Sequence, residues 1–138
     1  MRIYRTVSII LMFLFAVTGL LFMLIPDPIL TLFNNLSRSL AMPEAPLTGL
    51  NYYLILAIGY MYLVTILAFF MYRHPQSRYF PQLLTHAKIA SSLLSLALFL
   101  LHAHYLIYLA NFIIDGFIGA IVMMLYIKMG RMAKWASY

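Results

Sequence analysis

Four long runs of apolar residues, each uncharged or nearly so, alternate with short polar or basic segments along the chain, at about 7–25, 52–72, 82–103 and 106–127. A bilayer core about 30 Å thick takes about 20 residues of helix, so each run has the length of one membrane span. The boundary between the third and fourth runs carries neither Gly nor Pro, only His102-Ala103-His104-Tyr105. An unbroken helix over both would be roughly 70 Å long, more than twice the membrane, so a turn is required. The competing turn signal, Asp115-Gly116, would leave about a dozen apolar residues before Lys128, too few to cross. The turn therefore belongs near the two histidines. Arg2 and Arg5 before the first run resemble the start of a signal peptide, but the run is too long and no small-residue cleavage site follows closely, so it is read as a span.

The first connection has a pattern of its own. Asp27-Pro28 reads as a helix start, an N-cap acid followed by a proline whose missing N–H costs nothing at the first helical position. Ile29, Phe33, Leu36 and Leu40 then recur at helical spacing, with Asn34, Asn35, Ser37 and Arg38 largely between them, until Pro43 and Pro46. A short amphipathic helix over about 28–41 is predicted, lying on the membrane surface or capping the bundle. It would adhere to lipid or bind a partner. The fold class is thus an all-α integral membrane protein, one domain over 1–138, with four transmembrane helices and an interfacial helix between the first two.

Composition excludes the water-soluble alternative. Of 138 residues, 65% are hydrophobic and 9% charged, and the mean hydropathy is +0.96, against roughly 45–50% apolar and about 25% charged in a soluble domain. The net charge of +6 is not a nucleic-acid signal, because the basic residues sit at the ends of the apolar runs. Arg2, Arg5, Arg73, Arg78, Lys128, Arg131 and Lys134 fall on one side of a four-span arrangement, and only Arg38 falls opposite, beside Asp27 and Glu44. By the positive-inside rule both termini face the cytoplasm. The expected location is a bacterial inner membrane. With no cysteine, the chain has no disulfide, thiolate metal site or thiol nucleophile.

Two ionisable residues, Lys88 and Asp115, lie inside spans, where a charge at the bilayer centre costs about 3 kcal/mol. In a hairpin turning near 104–105, Lys88 is level with about residue 121 and Asp115 with about residue 94, an axial offset of roughly 9 Å. Helical side chains lean toward the N-terminus, which directs the two apart. Lys88 is accordingly expected to snorkel to the inner headgroups with Arg73 and Arg78, contacting lipid or a partner; a salt bridge within the hairpin is the less favoured arrangement.

Tyr108, Asn111 and Asp115 share one stripe of the fourth span, continued by Gly119, and Ser91, Ser95 and His102 share a stripe of the third. The two stripes are expected to face each other. Such groups either hydrogen-bond helices together or line a cavity, open toward His102 and His104, in which Asp115 carries a proton or orients a ligand. Tyr60 and Thr65 of the second span are possible further lining. His86 near the inner end, His74 in the inner loop and His102 and His104 at the outer turn provide no pair at matching depth for haem. Two histidines two residues apart, without nearby carboxylates, are a poor transition-metal site. No catalytic residue, cofactor or metal is expected.

Ile25-Pro26 closing the first span, Ala57-Ile58-Gly59-Tyr60-Met61, Ala87-Lys88-Ile89-Ala90-Ser91-Ser92 and Asp115-Gly116 together resemble the small bacterial DoxX-like four-helix membrane proteins. The resemblance implies a four-helix bundle with both termini inside. Some members are described as membrane partners of oxidoreductases; no agreed catalytic residues come with the family, and none is transferred. The reading reached is a non-catalytic accessory subunit that anchors or packs in a larger membrane complex, an electron-transfer one in the direction of the resemblance. Its partners are lipids and other integral subunits, with homo-oligomers as the alternative. Two other readings remain: a small transporter or ligand-binding protein with a cavity around Asp115, and a quinone-handling or lipid-modifying enzyme.

Overall fold

Hydrocarbon offers no hydrogen-bond partner to a bare peptide group, so apolar runs of span length close their backbone bonds internally as helices. The computed structural model describes residues 2–47 and 51–135, and among them every regular element is helical. The order is α1 (Arg2–Leu24), α2 (Pro26–Ser39), α3 (Asn51–Arg73), α4 (Tyr79–Leu101) and α5 (Leu106–Trp135). Four stretches, Arg2–Leu24, Tyr53–Arg73, Tyr79–Leu101 and Leu106–Lys128, are long and apolar enough to cross a membrane. In each, no more than 28% of the most apolar stretch is buried within the bundle. The remaining apolar surface faces outward and needs lipid to cover it.

The turn expected near the two histidines occupies residues 102–105, with His102 N–H and Ala103 N–H both donating to the Leu98 carbonyl at 3.0 and 3.3 Å. α5 continues past the apolar stretch to Trp135, eight residues beyond the expected end of the span. α1 packs closely on α3 and α4 on α5, and α3 and α4 join the two pairs. Tyr4, Leu11 and Phe15 of α1, Val64, Ala68 and Met71 of α3, Leu84 of α4 and Ile118 and Val122 of α5 form the core. α4 is turned inside out relative to a soluble helix. Its buried stripe is Pro81, Leu84, Thr85, Lys88, Ser92 and Ser95, while Leu83, Leu93, Leu94 and Leu100 are exposed.

The amphipathic connection is α2, with two differences from its expected form. It begins at Pro26 with Ile25 as the capping residue, so Asp27 is not the cap and lies in the first helical turn. There its charge still complements the positive end of the helix, and the absent N–H groups of Pro26 and Pro28 fall among donors that have no intrahelical acceptor. The face turned inward is Leu30, Asn34 and Ser37, whereas Leu32, Leu36 and Leu40 are exposed. Asn34 decides the orientation. Its Nδ2 donates to the Ala45 carbonyl at 2.8 Å and its Oδ1 accepts from the Ala45 N–H at 2.9 Å, which folds the following segment back onto the helix. Before that, the chain leaves α2 through Ala41 at φ 53°, with Met42 N–H on the Ser37 carbonyl and Ala41 N–H on that of Arg38. This is a Schellman-type ending at a position where glycine is usual. α2 lies against α1 and α5.

The α4–α5 contact depends on two small residues. A Cβ on Gly119 would meet Ile89 Cγ1 at 3.2 Å, and one on Gly116 would meet Ser92 Oγ at 2.9 Å. The Ser92 hydroxyl donates to the Phe112 carbonyl at 2.8 Å, a bond that retreat from an added methyl would strain. Gly116→Ala is expected to lower stability in detergent by about 1–3 kcal/mol, the usual cost of overpacking. Gly59→Ala, which would meet nothing within 4 Å, should leave stability unchanged or raise it by up to about 1 kcal/mol through helix propensity. Unfolding of both variants in a denaturing-detergent titration measures the difference.

Candidate functional site

A lysine taken out of water needs an anion, further acceptors for its remaining N–H groups, or both. Lys88 has its partners from the three other spans. Its side chain is 1% exposed and its Nζ lies 2.8 Å from Asp115 Oδ1. The same Nζ sits 4.5 Å from the centre of the Phe15 ring and 4.9 Å from that of Tyr60. The ammonium has three N–H groups, and here it meets one carboxylate oxygen and two negative ring faces. Phe15 comes from α1, Tyr60 from α3, Lys88 from α4 and Asp115 from α5. The Tyr60 hydroxyl also donates to the Ala87 carbonyl at 3.1 Å, which fixes its ring against α4.

This arrangement corrects the expectation that Lys88 snorkels to the headgroups. A Cβ on Gly119 would lie 3.5 Å from Lys88 Cβ, so Lys88 is level with residue 119 and not 121. Asp115 is then one helical turn away, about 6 Å, within reach of a four-carbon stem. The backward lean of helical side chains fixes only their first bond, and a lysine extending from it can run along the helix in either direction. Arg73 and Arg78 are exposed where α3 ends and α4 begins.

Between the ion pair and the α4–α5 turn, the middles of the two polar stripes face each other. Asn111 Nδ2 donates to Ser95 Oγ at 2.6 Å and lies 3.2 Å from Ser91 Oγ. Tyr108 and His102 do not join this network. The Tyr108 ring packs on Tyr105, 5.6 Å between centres, and His102 is exposed at the C-terminal cap of α4. His102 lies seven residues beyond Ser95, about 10 Å along the helix direction, too far to join the network. His104 rests edge-on against Phe99 at 5.1 Å. Thr65 donates back to the Met61 carbonyl of its own helix at 2.7 Å and lines nothing. Among the described residues, no three His, Asp or Glu side chains converge as a metal site would need.

Sequence reasoning missed Phe15 and Ser92. One of ten phenylalanines carries no mark that it faces a lysine. Ser92 lies beside the quoted stripe of Ser91 and Ser95, and its inward turn follows only from the helix phase that buries Lys88. Chemically, the centre is a neutral pair with one open acceptor: Asp115 Oδ2 is buried and takes no hydrogen bond from any described residue. It can hold helices together, accept a proton or orient a donor. The chain matches no protein family, no curated protein and no solved structure.

Removing one partner of a buried ion pair strands the other. Lys88→Met and Asp115→Leu are each expected to lower stability by about 3–5 kcal/mol, and the double variant to recover most of that loss. A double-mutant cycle of unfolding in detergent measures the coupling; additive losses would mean that the pair does not hold the bundle.

Proposed function

We propose that this protein is a non-catalytic integral membrane subunit that packs within a larger membrane complex and helps to anchor it. The observation that carries this reading is the closure of the Lys88–Asp115 pair on itself, 2.8 Å apart and enclosed by all four spans. The deep charges are thereby engaged in joining helices. What the bundle turns outward is large and apolar, including Phe13 and Val17 on α1, Tyr62 and Leu63 on α3, Leu93 and Leu94 on α4, and Ile113 and Phe117 on α5. Such faces suit lipid and the spans of neighbouring subunits equally. The bias of Lys and Arg toward one end supports cytoplasmic termini, and the resemblance to DoxX-like proteins supports a bacterial inner membrane and an electron-transfer complex.

A second reading, a small transporter or ligand-binding protein, is favoured by one observation, the open acceptor at Asp115 Oδ2. Asn111 and Ser95 would extend its polar lining. The two readings diverge on the charge pair itself. As a subunit, the protein purifies in mild detergent with larger partners at fixed stoichiometry, and Lys88→Met/Asp115→Leu assembles with them as the wild type does. Purification alone as a homo-oligomer, with substrate or proton flux that Asp115→Asn abolishes, would establish the transporter reading instead.

A further inference from the structure

Arginines at the end of a membrane span attract anions, and the three acidic residues of this chain supply none at its basic end. Asp115 is paired with Lys88 and Glu44 with Arg38, and Asp27 lies in the first turn of α2. At the basic end, Arg5 in the first turns of α1, Arg73 in the last turn of α3, and His74, Pro75, Gln76 and Ser77 of the following turn line an open cavity of about 400 Å³ with no carboxylate in its lining. The turn that forms one side of it is held by its own contacts. The His74 N–H donates to the Phe70 carbonyl at 2.8 Å and the Ser77 N–H to the His74 carbonyl at 3.0 Å. The His74 ring packs against Phe70 and Phe80, with centres 6.2 and 6.1 Å apart. α4 starts directly after this turn with no side chain capping its first N–H groups, so the positive end of its dipole adds to the same field.

We propose that this cavity binds the phosphate headgroup of one anionic phospholipid, held between the guanidinium groups of Arg5 and Arg73 and bonded by His74. Two planar forks match phosphate oxygens in pairs, and basic pockets between spans at this depth are suited to lipid headgroups. The open side leaves room for the group that a headgroup phosphate bears. Position selects lipid over a soluble anion, because the cavity lies where the apolar stretches of α1 and α3 end. Ile10, Phe13 and Phe69, exposed on those helices, give acyl chains apolar surface to lie on. This inference is independent of the subunit reading: a protein that co-purifies with partners and binds no lipid here defeats this proposal alone.

The test uses the full chain in a neutral detergent, titrated with phosphatidylglycerol or phosphatidylcholine and followed by native mass spectrometry. One phosphatidylglycerol should bind saturably, and Arg5→Gln/Arg73→Gln should weaken it about tenfold or more, given roughly a factor of five to six per basic contact. Arg2→Gln/Lys128→Gln, which removes the same charge at the same end outside the cavity, should retain the affinity within about twofold. Arg5→Lys/Arg73→Lys keeps the charge but loses the paired donors, and a several-fold loss there supports the site even if the glutamine variant does not fold. Equal weakening in the control pair, equal binding of phosphatidylcholine, no loss in the lysine variant, or displacement of the lipid by millimolar inorganic phosphate would each overturn the proposal.

Discussion

An ion surrounded by hydrocarbon must be met by an ion, and in this bundle that requirement sets how α4 and α5 lie against each other. Lys88 and Asp115 sit one helical turn apart along the pair, close enough to bridge only because the helices approach at Gly119 and Gly116. A slide of one further turn would separate the charges, and either alone inside the bilayer costs about 3 kcal/mol on the lenient insertion scale. The α4–α5 register is therefore specified by electrostatics as well as by shape.

The same pair recruits the other two spans. Phe15 and Tyr60 present ring faces to the ammonium, and the Tyr60 hydroxyl reaches a backbone carbonyl of α4. Between α1 and α3 the packing is largely apolar, which in lipid brings no hydrophobic gain on association. Polar contacts in the interior thus provide specificity that contacts between aliphatic side chains cannot. The polar inner stripe of α4 and its leucine-rich exterior follow from this, with the polarity of a soluble helix reversed because the solvent is reversed.

Much of the fold is legible in the sequence, because membrane thickness turns run length into helix number. The turn at 102–105 is legible although no Gly or Pro marks it, since the alternatives fail on length. The facing of Asn111 toward Ser91 and Ser95 is legible from helical spacing. The ion pair is not: two residues of register, about 3 Å, separate a lysine that reaches Asp115 from one that misses it. Nor is the inward face of α2: the spacing of Ile29, Phe33, Leu36 and Leu40 marks an apolar face, and nothing in it says that Asn34 and Ser37 turn toward the protein. There a two-point hydrogen bond to Ala45 outweighs leucine burial, because leucines at a membrane surface have lipid available to them. Phe15 could not be singled out, as a ring bears no trace in the sequence of the cation it will face.

The four-residue turn between α4 and α5 also bears on biosynthesis. α4 carries its lysine into the insertion machinery first, and the acid that neutralises it is synthesised 27 residues later. Until α5 emerges, α4 alone bears the full partitioning penalty of that charge; once both are present, the penalty is shared within a neutral hairpin. Transfer of the two helices as a pair is therefore less costly than transfer of α4 alone.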